Sequence, residues 1–289
     1  MRADARLTVT ANGADGADGA GRATGCRPSR IARLRSDGPL LLRPAIATGP
    51  TPLGRWNLAG PGTARVSRAA GTGGPLGGDD LRLHVDVGPG AALVLRDVSA
   101  TVALPGPHAE PCHVTTTMSV GRDATLVWLP EPVIAAHRCD HHFVTRIDLA
   151  PGARLLVREE LLLGRHGETP GTVRQRLRVQ LDGRPLHDQE LALGPDVPGW
   201  HGPAVTGGRT ALGSVLVVDP LWAHRPDQKP AVHAADGAAL FPLSGPAVLA
   251  AALAPDSAAL RHQLDACLTR LDALPVHDAD AASVSAAST

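Results

Sequence analysis

Val87-Gly-Pro-Gly-Ala-Ala-Leu-Val-Leu95 returns as Val120-Gly-Arg-Asp-Ala-Thr-Leu-Val-Trp128 and again as Leu149-Ala-Pro-Gly-Ala-Arg-Leu-Leu-Val157. Each copy closes one strand, makes a tight turn and opens a new apolar run. Gly and Asp at the turn centre tolerate left-handed backbone angles, and the aliphatic residues that follow suit a pleated, half-buried surface. Asp182-Gly183 supplies a fourth turn, with a strong short-range hairpin signal. Taking Gly90, Asp123, Gly152 and Gly183 as markers, the turns recur 33, 29 and 31 residues apart. A period near thirty over four units predicts a mainly β protein, an elongated, β-helix-like stack of antiparallel hairpins or sheets on one core. The competing reading is a meander whose similar turns recur by composition.

Upstream, Leu81-Arg-Leu-His-Val-Asp-Val87 alternates apolar and polar residues and so places one face against a core. Downstream, strands are expected at 173–181, 186–193, 212–218, 231–234 and 238–243. One or two helices belong to the C-terminal half. The convincing one is capped by Asp256 or Ser257, aligns Leu260, Leu264, Cys267, Leu271 and Leu274 on one stripe, and stops at Pro275. Residues 11–25 offer no apolar face. The expected organisation is a disordered tail over 1–29, one β-rich domain over 30–274 and a flexible tail over 275–289.

Composition excludes several classes. Among 289 residues, 28 basic and 28 acidic side chains cancel, which removes a strong pull on nucleic acid or anionic membrane. With four Trp, two Phe and no Tyr, base-stacking platforms are scarce and the core must be aliphatic. The one lysine, Lys229, is the only candidate for Schiff-base or P-loop chemistry. Cys26, Cys112, Cys139 and Cys267 form no CxxC, which favours reduced thiols. No signal-peptide core follows Met1, and the longest apolar run, near Ala247–Ala254, is far below the ~20 residues of a membrane span. A soluble, cytoplasmic protein is expected.

Catalytic signatures are absent: no GxSxG, HExxH or GxxxxGK[ST] occurs. Gly71-Thr-Gly-Gly-Pro-Leu-Gly-Gly-Asp-Asp80 precedes a strand, so it reads as a loop delivering Asp79 and Asp80 rather than a dinucleotide fingerprint. His137-Arg-Cys-Asp-His-His142 is the sharpest cluster. On an extended strand His137, Cys139 and His141 share a face suited to Ni²⁺ or Zn²⁺, with Asp140 and His142 on the other. Alternate residues stand about 6.6–7 Å apart, so the three converge on one ion only if the strand bends. A solvated polar strand is the plainer reading. Cys112-His113 offers further ligands, though nothing in the sequence brings them near. Glu159 and Glu160 must point to opposite faces, so one faces inward and needs a partner, for which Arg158, Arg165 and Arg174 are candidates. Glu110 and Glu131 sit beside prolines and read as loop residues. Gly164-Arg-His-Gly-Glu168 is a polar turn.

Taken in order, these segments resemble the urease accessory protein UreD (UreH in some species). The matching stretches are Gly73-Gly-Pro-Leu-Gly-Gly-Asp79, the Val87-Gly-Pro-Gly-Ala turn, Leu129-Pro-Glu-Pro-Val-Ile134, the run from Leu149 to Gly-Arg-His-Gly-Glu168, Asp182-Gly-Arg-Pro-Leu186 and the helix entry Leu253-Ala-Pro-Asp-Ser-Ala-Ala-Leu-Arg261. The resemblance spans roughly residues 30–274, and Leu-Gly-Arg-x-x-Gly-Glu after an apolar strand is its most specific element. It implies a non-enzymatic, mostly β scaffold that joins UreF and the GTPase UreG, contacts apo-urease and its structural subunits, and helps deliver Ni²⁺. A water-filled passage is the implied metal route, with Asp79 and Glu168, and with them Glu160 and Arg165, as polar positions near it. No tightly bound cofactor is implied, only transient Ni²⁺. Two departures stand out: Leu95-Arg-Asp-Val-Ser-Ala-Thr-Val-Ala103 lacks the family's Lys-Val-Tyr-like triplet, and the His/Cys cluster replaces an aromatic segment. The residues alone leave open a β-solenoid enzyme acting on saccharides, which the scarcity of aromatic platforms disfavours, and a stand-alone metal-binding module.

Overall fold

At every recurring turn the backbone enters the left-handed region: φ is 66° at Gly90, 56° at Asp123, 77° at Gly152, and 51° and 71° at Asp182 and Gly183. The computed structural model describes residues 1–12, 28–46, 52–235 and 237–273. In chain order the strands are β1 (Arg2–Ala11), β2 (Ser29–Arg35), β3 (Leu40–Pro44), β4 (Ala64–Ala70), β5 (Asp80–Val87), β6 (Ala92–Asp97), β7 (Thr101–Ala103), β8 (Cys112–Val120) and β9 (Thr125–Leu129). They continue as β10 (Val133–Ala135), β11 (Asp140–Leu149), β12 (Arg154–Leu163), β13 (Thr172–Leu181), β14 (Arg184–Leu193), β15 (Ala211–Val218), β16 (His233–Ala235), β17 (Ala238–Pro242) and β18 (Ala247–Ala254). Two helices, α1 (Leu221–His224) and α2 (Ser257–Asp272), lie in the C-terminal half.

The first three repeat turns carry the chain from one sheet to another. β5, β8 and β11 belong to a seven-stranded sheet ordered β14-β13-β11-β8-β5-β1-β2, while β6, β9 and β12 belong to a second sheet whose path runs β16-β17-β18-β15-β12-β9-β6-β4-β3. Equivalent positions then stack in parallel: Val87 beside Val120 beside Leu149 in the first sheet, and Leu93 beside Leu126 beside Leu155 in the second. The mainly β, helix-like stack with C-terminal-half helices is therefore as expected, with one correction. The repeating units pair in parallel within each sheet, and of the four recurring turns only Asp182-Gly183 closes an antiparallel hairpin, β13–β14. A turn fixes local angles; which strand lies alongside is decided by the shared core between the sheets.

That core is aliphatic. Leu7, Leu83, Met118 and Ile147 from the first sheet meet Leu42, Leu93, Leu126 and Leu155 from the second. The expected N-terminal tail also needs correction. β1 lies inside the first sheet between β2 and β5, with Ala3, Ala5, Leu7, Val9 and Ala11 buried. Its inward face is built mostly of alanine between charged residues, a weak apolar signal that acquires its value only from flanking strands. Residues 13–27 of the expected tail, the C-terminal tail and the Leu274 position lie outside the described residues.

α2 covers the outer face of the second sheet, burying Leu260, Leu264, Cys267, Leu268 and Leu271 against Val127, Leu156, Val215 and Val217. Gly213 in β15 permits this approach, since a Cβ there meets the Glu159 carbonyl at 2.8 Å and Leu264 Cδ1 at 3.1 Å. The helix starts as anticipated: the Asp256 side chain accepts a hydrogen bond from the Ala259 N–H at 2.8 Å. Asp256→Ala is expected to cost about 1 kcal/mol, the usual worth of an N-cap, read as a lower urea midpoint at unchanged slope.

Candidate functional site

β12 organises the site. Its alternation turns Leu155, Val157 and Glu159 towards the opposite sheet, and Leu156 and Glu160 towards α2. Beside it the second sheet has a gap. β12 pairs with β9 over 154–157 and with β10 over 161–163, leaving Arg158, Glu159 and Glu160 unpaired on that side. The interruption falls at Pro130-Glu131-Pro132, where two residues without an N–H keep β9 and β10 from fusing, and is matched at 98–100 between β6 and β7.

A cavity of about 110 Å³ lies between the sheets against this gap. Leu81, Val114, Thr116, Phe143, Thr145 and Gln175 face it from the first sheet and Trp128 and Glu159 from the second, while the outward Glu160 borders it at the gap. Two larger cavities adjoin it. One of about 610 Å³ lies against α2 and shares Asp97, Pro130, Glu131 and Glu160 with the inner cavity. The other, about 690 Å³, lies between the β13–β14 hairpin and β15, β17 and β18, and shares Glu159 and Gln175.

The rim of the gap is a network of ion pairs. The Glu160 side chain is almost wholly buried, with Arg158 Nε 2.6 Å from Oε1 and Arg261 Nε donating to Oε2 at 3.3 Å. Arg261 also donates to Glu131, and Arg158 donates to Asp265 at 2.7 Å. Across the gap Asp97 pairs with Arg68, whose Nε donates at 2.8 Å. Burial without such pairing costs several kcal/mol per ion, so each carboxylate here has an arginine. Glu159 differs. Among the described residues its carboxyl meets the Gln175 side chain and no arginine, and burial pushes it up from 4.5 to about 7. The gap thus has paired, neutralised anions on its α2 side and, on its inner side, one carboxyl that burial raises to about 7.

A family model described as the UreD urease accessory protein matches residues 19–283. The chain belongs to the UreD family. Among its relatives, urease accessory protein UreD 3 of Streptomyces griseus subsp. griseus is 42% identical over 274 residues, covering 94% of this chain and 97% of that one. UreD of Frankia alni is 44% identical over 262 residues, covering 82% and 86%, and UreD of Streptomyces coelicolor is 42% identical over 253 residues, covering 86% and 98%.

In this UreD-family fold the residues singled out from sequence separate into two groups. Glu160 lies at the gap, and the parity argument for Glu159 and Glu160 holds, one inward and one outward. The arginine expected for the inward carboxylate is a miss: Glu159 is met by Gln175. Arg158 pairs instead with the outward Glu160, Arg165 pairs with Glu168, Arg174 lies on β13 beside His142, and the decisive Arg261 comes from α2. Asp79, Arg165 and Glu168 do not line the three cavities. Asp79 is buried, accepts from the Leu76 N–H at 2.9 Å and stands 2.6 Å from the Met1 amino nitrogen, holding the loop before β5. Arg165 donates to Glu168 from its backbone N–H at 3.0 Å, Nε at 2.8 Å and Nη2 at 2.6 Å, which holds that carboxyl down at about 2. The Leu-Gly-Arg-x-x-Gly-Glu run is therefore a turn lock. Gly164 is required in it, because at φ 86° a Cβ would lie 2.3 Å from the Glu168 carbonyl oxygen.

The His/Cys cluster is spread out. His137 is exposed and its Nδ1 lies 3.2 Å from the Thr169 carbonyl; Cys139 is buried, its thiol pushed up to about 12 by desolvation; His141 is fully buried, with Nε2 2.9 Å from the Leu104 carbonyl. Among the described residues no three His, Cys, Asp or Glu side chains already stand in a ligating arrangement. Asp97, Gln175 and Thr145 escaped the sequence reading, and Glu131 reads there only as a loop residue beside prolines. The one available signal was polarity on inward strand positions, as at Thr116 and Thr145. No helix among the described residues is long and apolar enough to cross a membrane.

Proposed function

We propose that the chain is a non-catalytic scaffold of urease maturation in the cytoplasm, which binds UreF and UreG, contacts apo-urease and passes Ni²⁺ to it through the cavities at the sheet gap. The observation that carries this reading is the break in the second sheet, where Glu160, Glu131 and Asp97 line both the inner cavity and the groove against α2. Family membership supports the urease context, since the relatives are named urease accessory proteins.

Ni²⁺ is cargo in this reading, and the chain keeps no cofactor of its own. Oxygen ligands suit transit, because nickel is held more firmly by imidazole and thiolate than by carboxylate, amide and hydroxyl oxygens. An entering dication displaces arginines from Glu160 and Glu131, which hold those carboxylates in place while the passage is empty. Further in, Glu159 releases a proton when a cation arrives, so net charge in the cavity changes by less than two. Pull-down from the native host tests the assembly. UreF, UreG and urease subunits are expected to co-purify with this chain, and its deletion to abolish urease activation. Full activation in the deletion strain overturns the proposal.

A further inference from the structure

Strand register makes a contact that sequence spacing conceals. His113 on β8 is the neighbour of His142 on β11, and both project from the outer face of the first sheet, opposite to the buried Cys112 and His141. Their ring centres are 5.0 Å apart. With metal–nitrogen bonds of about 2.0–2.1 Å, two imidazoles on one ion place their ring centres about 4.5–5.2 Å apart. Asp140, two residues before His142 and on the same face, puts Oδ1 3.4 Å from His142 Nε2. That is long for a hydrogen bond, yet it is the separation of two donor atoms about 2.1 Å from one tetrahedral ion. Asp140 Oδ1 is also buried and has no hydrogen-bond partner. A buried carboxylate oxygen left without a donor is a cost that a cation removes.

We infer that His113, His142 and Asp140 form a surface site for a divalent transition-metal cation of the Ni²⁺, Zn²⁺ and Cu²⁺ class. His142 Nε2 and Asp140 Oδ1 are already spaced as ligands. His113 is exposed and completes the set by turning about its side-chain torsions, with water in the remaining positions. Asp80, the β5 neighbour of His113, adds negative charge, whereas Arg174, the β13 neighbour of His142, opposes it. The balance sets a reversible site rather than a structural one. It stands independently of the proposed passage, which lies on the inner side of this sheet and beyond.

Titrating NiCl₂ into the untagged full chain by calorimetry tests the site. One saturable equivalent is expected, weakened at least tenfold by His113→Ala and by His142→Ala, and unchanged by His137→Ala. These positions face solvent, so circular dichroism should show the fold retained. In a parallel NMR titration, paramagnetic Ni²⁺ should broaden the His113 and His142 imidazole signals before those of the other histidines. Absence of saturable binding, an isotherm untouched by His113→Ala or by His142→Ala, or first broadening elsewhere overturns the site.

Discussion

Replacing Glu160 by Ala is expected to lower the unfolding free energy by about 3–5 kcal/mol, the range for removing one partner of a buried ion pair. The Glu160 side chain is 2% exposed and faces two arginines, Arg158 at 12% and Arg261 at 43% exposure. Without it, Arg158 retains only the Asp265 contact at a mostly exposed carboxylate, and Arg261 retains Glu131. Most of the loss therefore comes from Arg158, held in a dry setting with its charge uncompensated. Chemical denaturation of the purified chain measures this directly. Replacing Arg261 by Ala should cost much less, because that side chain is nearly half exposed and solvent screens it. Equal losses in the two variants would contradict the assignment of Glu160 as the centre of the network.

The second large effect is a dependence of stability on pH that belongs to Glu159. Its folded carboxyl titrates near 7 and the unfolded one near 4.5. Below about pH 4.5 both states are protonated and the group contributes nothing. Between 4.5 and 7 the unfolded chain has lost its proton and the folded chain has not, so stability falls as pH rises, by on the order of 3 kcal/mol once above 7. Glu159→Gln removes that slope while preserving shape and a hydrogen-bonding partner for Gln175. His141 and His187, whose burial lowers their pKa, act in the opposite sense, since their folded forms stay neutral while the unfolded chain takes up protons. The difference between wild type and Glu159→Gln cancels those contributions. Urea unfolding at pH 5 and pH 8 should show wild type losing stability relative to the variant; parallel pH profiles would mean that Glu159 is ionised in the folded protein.

The repeat that defines the stack was legible because each turn needs a residue tolerant of φ near +60°, and Gly90, Asp123, Gly152 and Asp182-Gly183 advertise that need locally. Strand direction was not legible. The Val87, Val120 and Leu149 positions carry the same local pattern whether the chain folds back beside itself or crosses to another sheet, and only the common core distinguishes the two. β1 was invisible for a related reason: Ala3, Ala5 and Ala11 gain their apolar role from flanking strands. In the site, parity along β12 separated Glu159 from Glu160, since a period of two is intrinsic to a strand. Their partners were not readable, because Gln175 and Arg261 arrive from elements 16 and 101 residues away. The same holds for His113 and His142, which strand register makes neighbours. Leu129-Pro-Glu-Pro-Val-Ile134 reads as a loop in sequence; its meaning as a break in a sheet that resumes beyond it depends on β12 running past both halves.

The passage itself is tested most directly by filling it. Thr116→Leu and Thr145→Leu replace two buried hydroxyls facing the inner cavity with larger apolar groups, leaving the Glu160 network and the outer surfaces untouched. The measurement is nickel per urease active site, by elemental analysis of urease purified from a deletion strain complemented with wild type or the double variant. With the variant folded and still co-purifying with UreF and UreG, urease nickel should fall to the level of the deletion strain. Urease loaded with nickel as fully as by wild type would contradict transit through this cavity.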